Sequence, residues 1–263
     1  MQTFETNGEL IHYKFIAKPG ATVLAFSNSL GTDMRIWDRV APAFSDHFSI
    51  LMYDKRGHGL SSAPAAPYTM DQHVYDLIAL LNHVEAEKVV VCGDSVGGLI
   101  AQGVAAREPD RVKAVVLCDT AARIGTADMW NTRIGMAQAG GIEALADGTM
   151  ERWFAQQFRS ERTAELGLWR NMLVRTPLDG FVGTMQAIRD TDYTAATEAL
   201  TQPALVIVGE EDGSTTPEVV KDLADSMQNA QFEIIPGAGH LPCIDQPDRL
   251  VTLMHAFFRV NLS

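Results

Sequence analysis

Three groups in this 263-residue chain have the types and spacing for nucleophilic acyl chemistry. Ser95 lies in GDSVG, with Gly93 and Gly97 two residues to either side. That is the G-x-S-x-G pattern of a nucleophile elbow, a sharp strand-to-helix turn that lifts a serine above a parallel sheet. The turn crowds the serine backbone against its neighbours, so the residues two before and two after must lack a bulky Cβ. A serine hydroxyl is a weak nucleophile at neutral pH and needs a base. His240, in PGAGHLP, is the candidate base. The segment GEEDGSTTP offers Glu210, Glu211 and Asp212 as its partner, and Asp212 is the expected one. The imidazole would take the serine proton during attack, while the carboxylate fixes its tautomer and stabilises the imidazolium. The tetrahedral intermediate needs N–H donors for its oxyanion. The backbone of Val96, directly after the serine, should supply one, and the backbone of Leu30 in SNSLGT the other.

These residues meet only if particular elements present them. Val89–Cys92 is an apolar, β-branched run suited to a buried strand, and from Gly97-Gly98 onward the pattern becomes an apolar helix. The amino end of that helix points at the serine, where free N–H groups favour developing negative charge. Further buried-type strands are expected at Thr22–Phe26, Phe48–Tyr53, Lys113–Cys118, Ala204–Val208 and Gln231–Ile235. Thr3–Thr6 and Leu10–Phe15 alternate apolar and polar around Asn7-Gly8, which reads as a β-hairpin. Val74, Leu77, Ile78, Leu81 and Val84 recur at helical spacing; other helices are expected from Pro217 and over Asp248–Val260. Eight strands, the first two a hairpin and the others joined by helical crossovers, predict an α/β fold. Its sheet is mostly parallel, with helices on both faces. Ligands of such a sheet sit beyond the carboxyl ends of its strands. The acid and histidine loops fall at that edge, in the chain order serine, acid, histidine. Residues 121–199 show no strand pattern but carry Trp130, Trp153 and Trp169 with several Arg and Met at helical spacing. They are expected to form a helical cap inserted into a core of residues 1–120 and 200–263.

The net charge of −12, from 33 acidic against 21 basic side chains, argues against nucleic acid or an anionic membrane as partner. Cys92, Cys118 and Cys243 are scattered and odd in number, so neither a disulfide framework nor a metal cluster is expected. Cys92 and Cys118 should pack as small hydrophobes at strand ends. The opening MQTFETNGEL lacks an apolar leader and no run reaches membrane-spanning length, so a cytoplasmic protein is expected. His12, His47, His73, His83 and His255 read as strand, turn or helix surface residues, and His58 in DKRGHG as a residue that orders the loop beneath the site.

Taken together, the elbow, acid loop and histidine loop resemble the α/β-hydrolase superfamily. Within it the chain is similar to the 3-oxoadipate enol-lactonases, through NSLGTDMRIW, YDKRGHGLSS, PYTMDQH, GDSVGGLIAQ, TAARIGTADMWNTRI, ERWFAQQF and MQAIRDTDY. The likeness runs nearly end to end, and the cap stretches are its specific part. It implies an α/β-hydrolase fold with an inserted cap and an enzyme without metal or cofactor. It also implies a small-molecule substrate, a carboxylate-bearing enol-lactone of the β-ketoadipate pathway of aromatic catabolism, opened through an acyl-enzyme. Arg133 in WNTRI is the expected carboxylate receptor, since Arg binds a carboxylate bidentately, with Trp130 and Trp153 as apolar walls. Arg123 and Arg189 are further candidates. Two departures stand out. Asn28-Ser29 replaces the His-Gly that many relatives carry, and Asp94 precedes the nucleophile where an apolar residue is expected. A carboxylate there opposes a negative intermediate unless it points away or is paired. A carboxylesterase, a carbon–carbon bond hydrolase with the same triad, and a low-turnover binding protein are the alternatives. A haloalkane dehalogenase would need Asp at position 95 itself.

Overall fold

The computed structural model describes residues 1–262. Its eight strands are β1 (Gln2–Thr6), β2 (Glu9–Ile16), β3 (Val23–Ser27), β4 (Ser49–Tyr53), β5 (Val89–Asp94), β6 (Val112–Cys118), β7 (Ala204–Gly209) and β8 (Ala230–Ile235). They form one sheet in the order β1-β2-β4-β3-β5-β6-β7-β8. The β1–β2 hairpin turns through Asn7 and Gly8, both at positive φ, and β2 pairs antiparallel with β4. From β4 to β8 every pairing is parallel. Every residue of β3, β4, β5 and β7 is buried, as expected of parallel strands with both faces covered.

Helix α1 (Met70–His83) starts at a capping box between Thr69 and Gln72 and buries Val74, Leu77, Ile78 and Leu81. Helix α2 (Val96–Arg107) is buried from Val96 to Ala105, because it packs on β5 and β6 and is itself covered by α1. Six helices separate β6 from β7: α3 (Ala127–Gly140), α4 (Glu143–Trp153), α5 (Gln156–Glu161), α6 (Thr163–Val174), α7 (Leu178–Arg189) and α8 (Thr194–Glu198). The segment leaves and returns at one point, where the Tyr193 N–H donates to the Ala122 carbonyl at 2.9 Å. Its last helix, α8, packs on α2. Then follow α9 (Pro217–Ser226), α10 (Pro242–Asp245) and α11 (Pro247–Asn261), with Pro217 in the first turn as anticipated. No helix among the described residues is long and apolar enough to cross a membrane.

Two expectations need correction. Helical crossovers do not join all the later strands. β2 runs to β3 through residues 17–22 without a helix, and β3 and β4 are linked by two 3₁₀ turns, Met34–Trp37 and Ala41–Phe44. Those turns anchor themselves by burying Trp37 and Phe44, the latter against Phe258 at 5.5 Å between ring centroids. The histidines are not all surface residues either. His73 is fully enclosed between α1 and α7, and His12 pairs with Asp54 at 2.8 Å.

Candidate active site

Ser95 adopts φ +56° and ψ −117°, a strained conformation for a residue with a side chain. The turn is held from several sides. The Ser95 N–H donates to the Cys118 carbonyl at 2.9 Å, and the Thr120 hydroxyl donates to the Ser95 carbonyl at 2.7 Å. A Cβ on Gly93 would overlap the Gly97 carbonyl, and one on Gly97 would overlap the Ser27 carbonyl at the end of β3. The two glycines of the motif are thus required by close packing of backbone on backbone.

His240 is 2% exposed and reaches the carboxyl edge from the loop after β8. Its Nδ1–H donates to Asp212 Oδ2 at 2.8 Å. Asp212 also accepts from the Ser214 N–H at 2.7 Å, the Thr215 N–H at 3.2 Å and the Thr215 hydroxyl at 2.7 Å. The other two acids of GEED face outward, where Glu211 accepts from the Gln156 N–H and Glu210 from the Gly237 N–H. Of the three acids, Asp212 is the one hydrogen-bonded to His240. Burial alone would lower the imidazole, but the Asp212 charge and hydrogen bond, with a contribution from Asp94, hold His240 above its ordinary value. Burial likewise opposes ionisation of Asp212, yet His240 and the donors around its carboxylate bring it below the usual range. Ser95 and His240 line one pocket without a direct hydrogen bond between them.

Asp94 is neither turned to solvent nor paired. It is fully buried, and both carboxyl oxygens lack a hydrogen-bond partner among the described residues. Burial pushes it up to about 8, with Asp212 adding to the shift and His240 opposing it. At neutral pH it carries a proton, so the expected conflict with a negative intermediate is removed by protonation. Asp119, after β6, is a second acid of this kind. Its Oδ1 accepts the Gly209 N–H at 2.8 Å, Oδ2 has no partner, and burial with the Asp212 charge raises it well above the carboxylate range.

Leu30 lies beside Ser95 on the loop after β3, and Val96 opens α2. Among the described residues neither backbone N–H has an intramolecular acceptor. The neighbouring Gly31 N–H is taken instead by His58 Nε2 at 2.9 Å. His58 is buried and held neutral by that burial, which lets Nε2 accept while Nδ1 donates to the Arg56 carbonyl.

Above the serine, α3, α4 and α7 close a narrow space of about 50 Å³. Trp130, Arg133, Trp153, Arg152, Phe181 and Met185 are among its walls. Trp130 is fixed by its indole N–H on the Ile124 carbonyl at 2.7 Å, and the Arg133 guanidinium lies 5.2 Å from the Trp130 ring centroid. Between α3 and α4 an outer vestibule of about 370 Å³ shares Met129, Arg133, Leu145 and Arg152 with the inner space. The two arginines therefore stand at the neck between vestibule and serine. Arg123 and Arg189 are spoken for by Asp192 at 3.7 Å and Asp190 at 2.7 Å. Arg133 has no acidic partner among the described residues; burial first, and then repulsion from Arg152, lower it to about 10. Burial also lowers Arg152, whose charge in turn works against protonation of His240.

Residues 23–247 match the family described as alpha/beta hydrolase fold. The chain belongs to that family. Among curated relatives, 3-oxoadipate enol-lactonase 2 of Acinetobacter baylyi is 31% identical over 90% of this chain and 88% of its own length. Among solved structures, the enol-lactonase of Burkholderia xenovorans LB400 superposes with a TM-score of 0.94 at 34% identity, covering 98% of this chain and all of that one. A thermophilic esterase of Thermogutta terrifontis, solved with malate bound, gives a TM-score of 0.91 at 27% identity over 99% of this chain and 97% of its own.

For this α/β hydrolase, the sequence reading named Ser95, Leu30, His240, Trp130, Arg133 and Trp153, and the fold brings all six to one pocket. Asp212 stands behind His240, and Val96 beneath the serine. It missed Arg152. That residue lies in the last turn of α4, directly before Trp153, and an arginine there gives no local sign of the pocket it faces. It also missed Asp119, whose only sequence signal is its place directly after a buried strand.

Proposed function

We propose that this hydrolase opens a carboxylate-bearing enol-lactone, with 3-oxoadipate enol-lactone as the substrate and 3-oxoadipate as the product. Residues 121–199 act as the cap over a catalytic core of residues 1–120 and 200–263. In this mechanism His240 removes the Ser95 proton as Oγ attacks the lactone carbonyl, and Asp212 stabilises the resulting imidazolium. The Leu30 and Val96 N–H groups receive the oxyanion. Collapse of the tetrahedral intermediate breaks the ring C–O bond, and the enol oxygen leaves with the proton from His240, which restores the neutral base. Water, activated by His240, then hydrolyses the acyl-enzyme. Asp94, neutral at working pH, does not oppose the negative charge. Arg133 holds the side-arm carboxylate while Trp130 and Trp153 flank the ring. No cofactor is required, and the enzyme works in the cytoplasm within aromatic catabolism.

The observation that carries this reading is a pair of half-buried arginines without acidic partners, on the wall of the serine's pocket in a protein whose net charge is −12. A neutral ester gives no reason to keep them there. The relatives named above support the class of substrate. Steady-state kinetics on the enol-lactone, p-nitrophenyl acetate and a vinylogous diketone test the proposal. The expected result is a kcat/KM about a hundredfold or more higher for the lactone, as for a site with a desolvated charge pair. Equal efficiency on the neutral ester would leave a general esterase, and turnover of the diketone alone a carbon–carbon bond hydrolase.

A further inference from the structure

Lys55, in the loop after β4, is 1% exposed and takes no part in the triad or the pocket wall. Its Nζ donates to the Ser29 carbonyl at 2.5 Å. The same carbonyl accepts the Thr32 hydroxyl at 2.9 Å and the Thr32 N–H at 3.3 Å. The Ser29 carbonyl and the Leu30 N–H are the two ends of one peptide group. Because the amide is a resonance unit, a cation drawing electron density to its oxygen makes its N–H a stronger donor.

We propose that Lys55 is a positioning residue for the oxyanion hole, pinning and polarising the Ser29–Leu30 peptide so that its N–H is aimed at the developing oxyanion. The proposal rests on the reading of Ser95 and Leu30 given above. Its physical basis is the expense of the arrangement. A buried ammonium is costly without a carboxylate hydrogen-bonded to it, and Lys55 has none among the described residues. Burial lowers it to about 7, against the charges of Asp54 and Asp33 that favour its protonated form, so the ammonium is present at neutral pH and below and is lost as pH rises further. Thr32 already ties the carbonyl down with two neutral donors, and His58 secures the next peptide at Gly31. Tethering alone therefore needs no cation. What the cation adds is polarisation, which acts when negative charge appears on the substrate oxygen.

The test uses Lys55→Met in the full chain, with p-nitrophenyl acetate as substrate. Phenylboronic acid serves as a tetrahedral, anionic serine adduct, and adipate as a ground-state ligand. The expected result is a kcat lower by about tenfold or more, below the ~10²–10³ for outright loss of a donor, with phenylboronate weakened in step. KM, adipate affinity and the thermal midpoint should stay at wild-type values. Unchanged kcat and phenylboronate affinity would overturn the proposal, and so would parallel weakening of adipate, which marks a merely structural role. Thr32→Val removes a neutral donor from the same carbonyl and should show the same split with a smaller amplitude. If Lys55→Met does not fold, Lys55→Gln keeps a polar chain without the cation, and unchanged kcat and phenylboronate affinity in that variant overturn the proposal. Wild-type protein that is neither inhibited by phenylboronate nor labelled at Ser95 by a sulfonyl fluoride would fail the Ser95 reading itself. Labelling with no effect of Lys55→Met would fail this inference alone.

Discussion

At the carboxyl edge of the sheet, position is set by backbone. Ser95 hangs from the Cys118 carbonyl, Gly97 presses on the Ser27 carbonyl, and Asp212 is gripped by two backbone N–H groups and a hydroxyl. In the helices above, position is set by side chains. Trp130 is fixed through its indole N–H, Arg133 leans on that ring, and Arg152 reaches the Thr149 hydroxyl at 3.1 Å. The first construction leaves no room for a Cβ at Gly93 or Gly97. The second keeps a charge near a place and can be rebuilt one residue at a time. On the proposed function, chemistry belongs to the edge and selection to the helices above it, and the two should fail differently under mutation.

The largest failure is expected at the edge. Ser95→Ala should lose ~10⁴–10⁶-fold of kcat on every ester tested, lactone or neutral, while the thermal midpoint holds. Retention of appreciable kcat on any ester, with the protein freed of contaminating esterase, would break the comparison at its root.

The cap variants should split the substrates. Arg133→Ala is expected to lower kcat/KM on the carboxylate-bearing lactone by an amount worth ~2–5 kcal/mol, with little change on p-nitrophenyl acetate. Equal losses on both would remove Arg133 as the carboxylate receptor. Arg152→Ala should show the same selectivity plus a second sign. Its charge opposes protonation of His240, so removing it should move the acid limb of the pH profile to higher pH, which Arg133→Ala should not do.

The smallest effects are in the pH profile. His240 must be neutral to act as base, and its pKa is raised, so kcat/KM should climb with pH through a value above that of an ordinary histidine. Asp94 ionises near 8 and then sets a negative charge beside the oxyanion, so the profile should decline again on the alkaline side. Asp94→Asn should abolish that decline. The acid limb should stay in place, because Asp94 is neutral over that range. A decline that persists in Asp94→Asn would assign it to another group.

How far the sequence could be read follows the same division. The elbow, the acid and the histidine were legible because backbone packing and chain order restrict which residues can occupy those positions, and the strand runs Val89–Cys92 and Ala204–Val208 needed only their apolar pattern. The 3₁₀ link between β3 and β4 was not, since Trp37 and Phe44 are held by partners distant in sequence such as Phe258. Arg152 was illegible for a related reason. Whether an arginine is solvated or unneutralised depends on acids that lie across the fold, and the pairing of Arg123 and Arg189 with Asp192 and Asp190 sorted them only in three dimensions. Asp94 was legible as an oddity, but its protonation depends on enclosure that no local pattern reveals.

The neck of Arg133 and Arg152 bears on encounter rates as well as on selectivity. An anion diffusing toward a protein of net charge −12 meets a repulsive surface, and the vestibule lined by Arg133 and Arg152 reverses that sign locally. Added salt screens the long-range repulsion within a Debye length of about 8 Å at physiological ionic strength, whereas the two partly buried cations are screened far less. Association of a small carboxylate should therefore speed up, or hold steady, as salt rises, the reverse of the usual behaviour of an electrostatically steered enzyme.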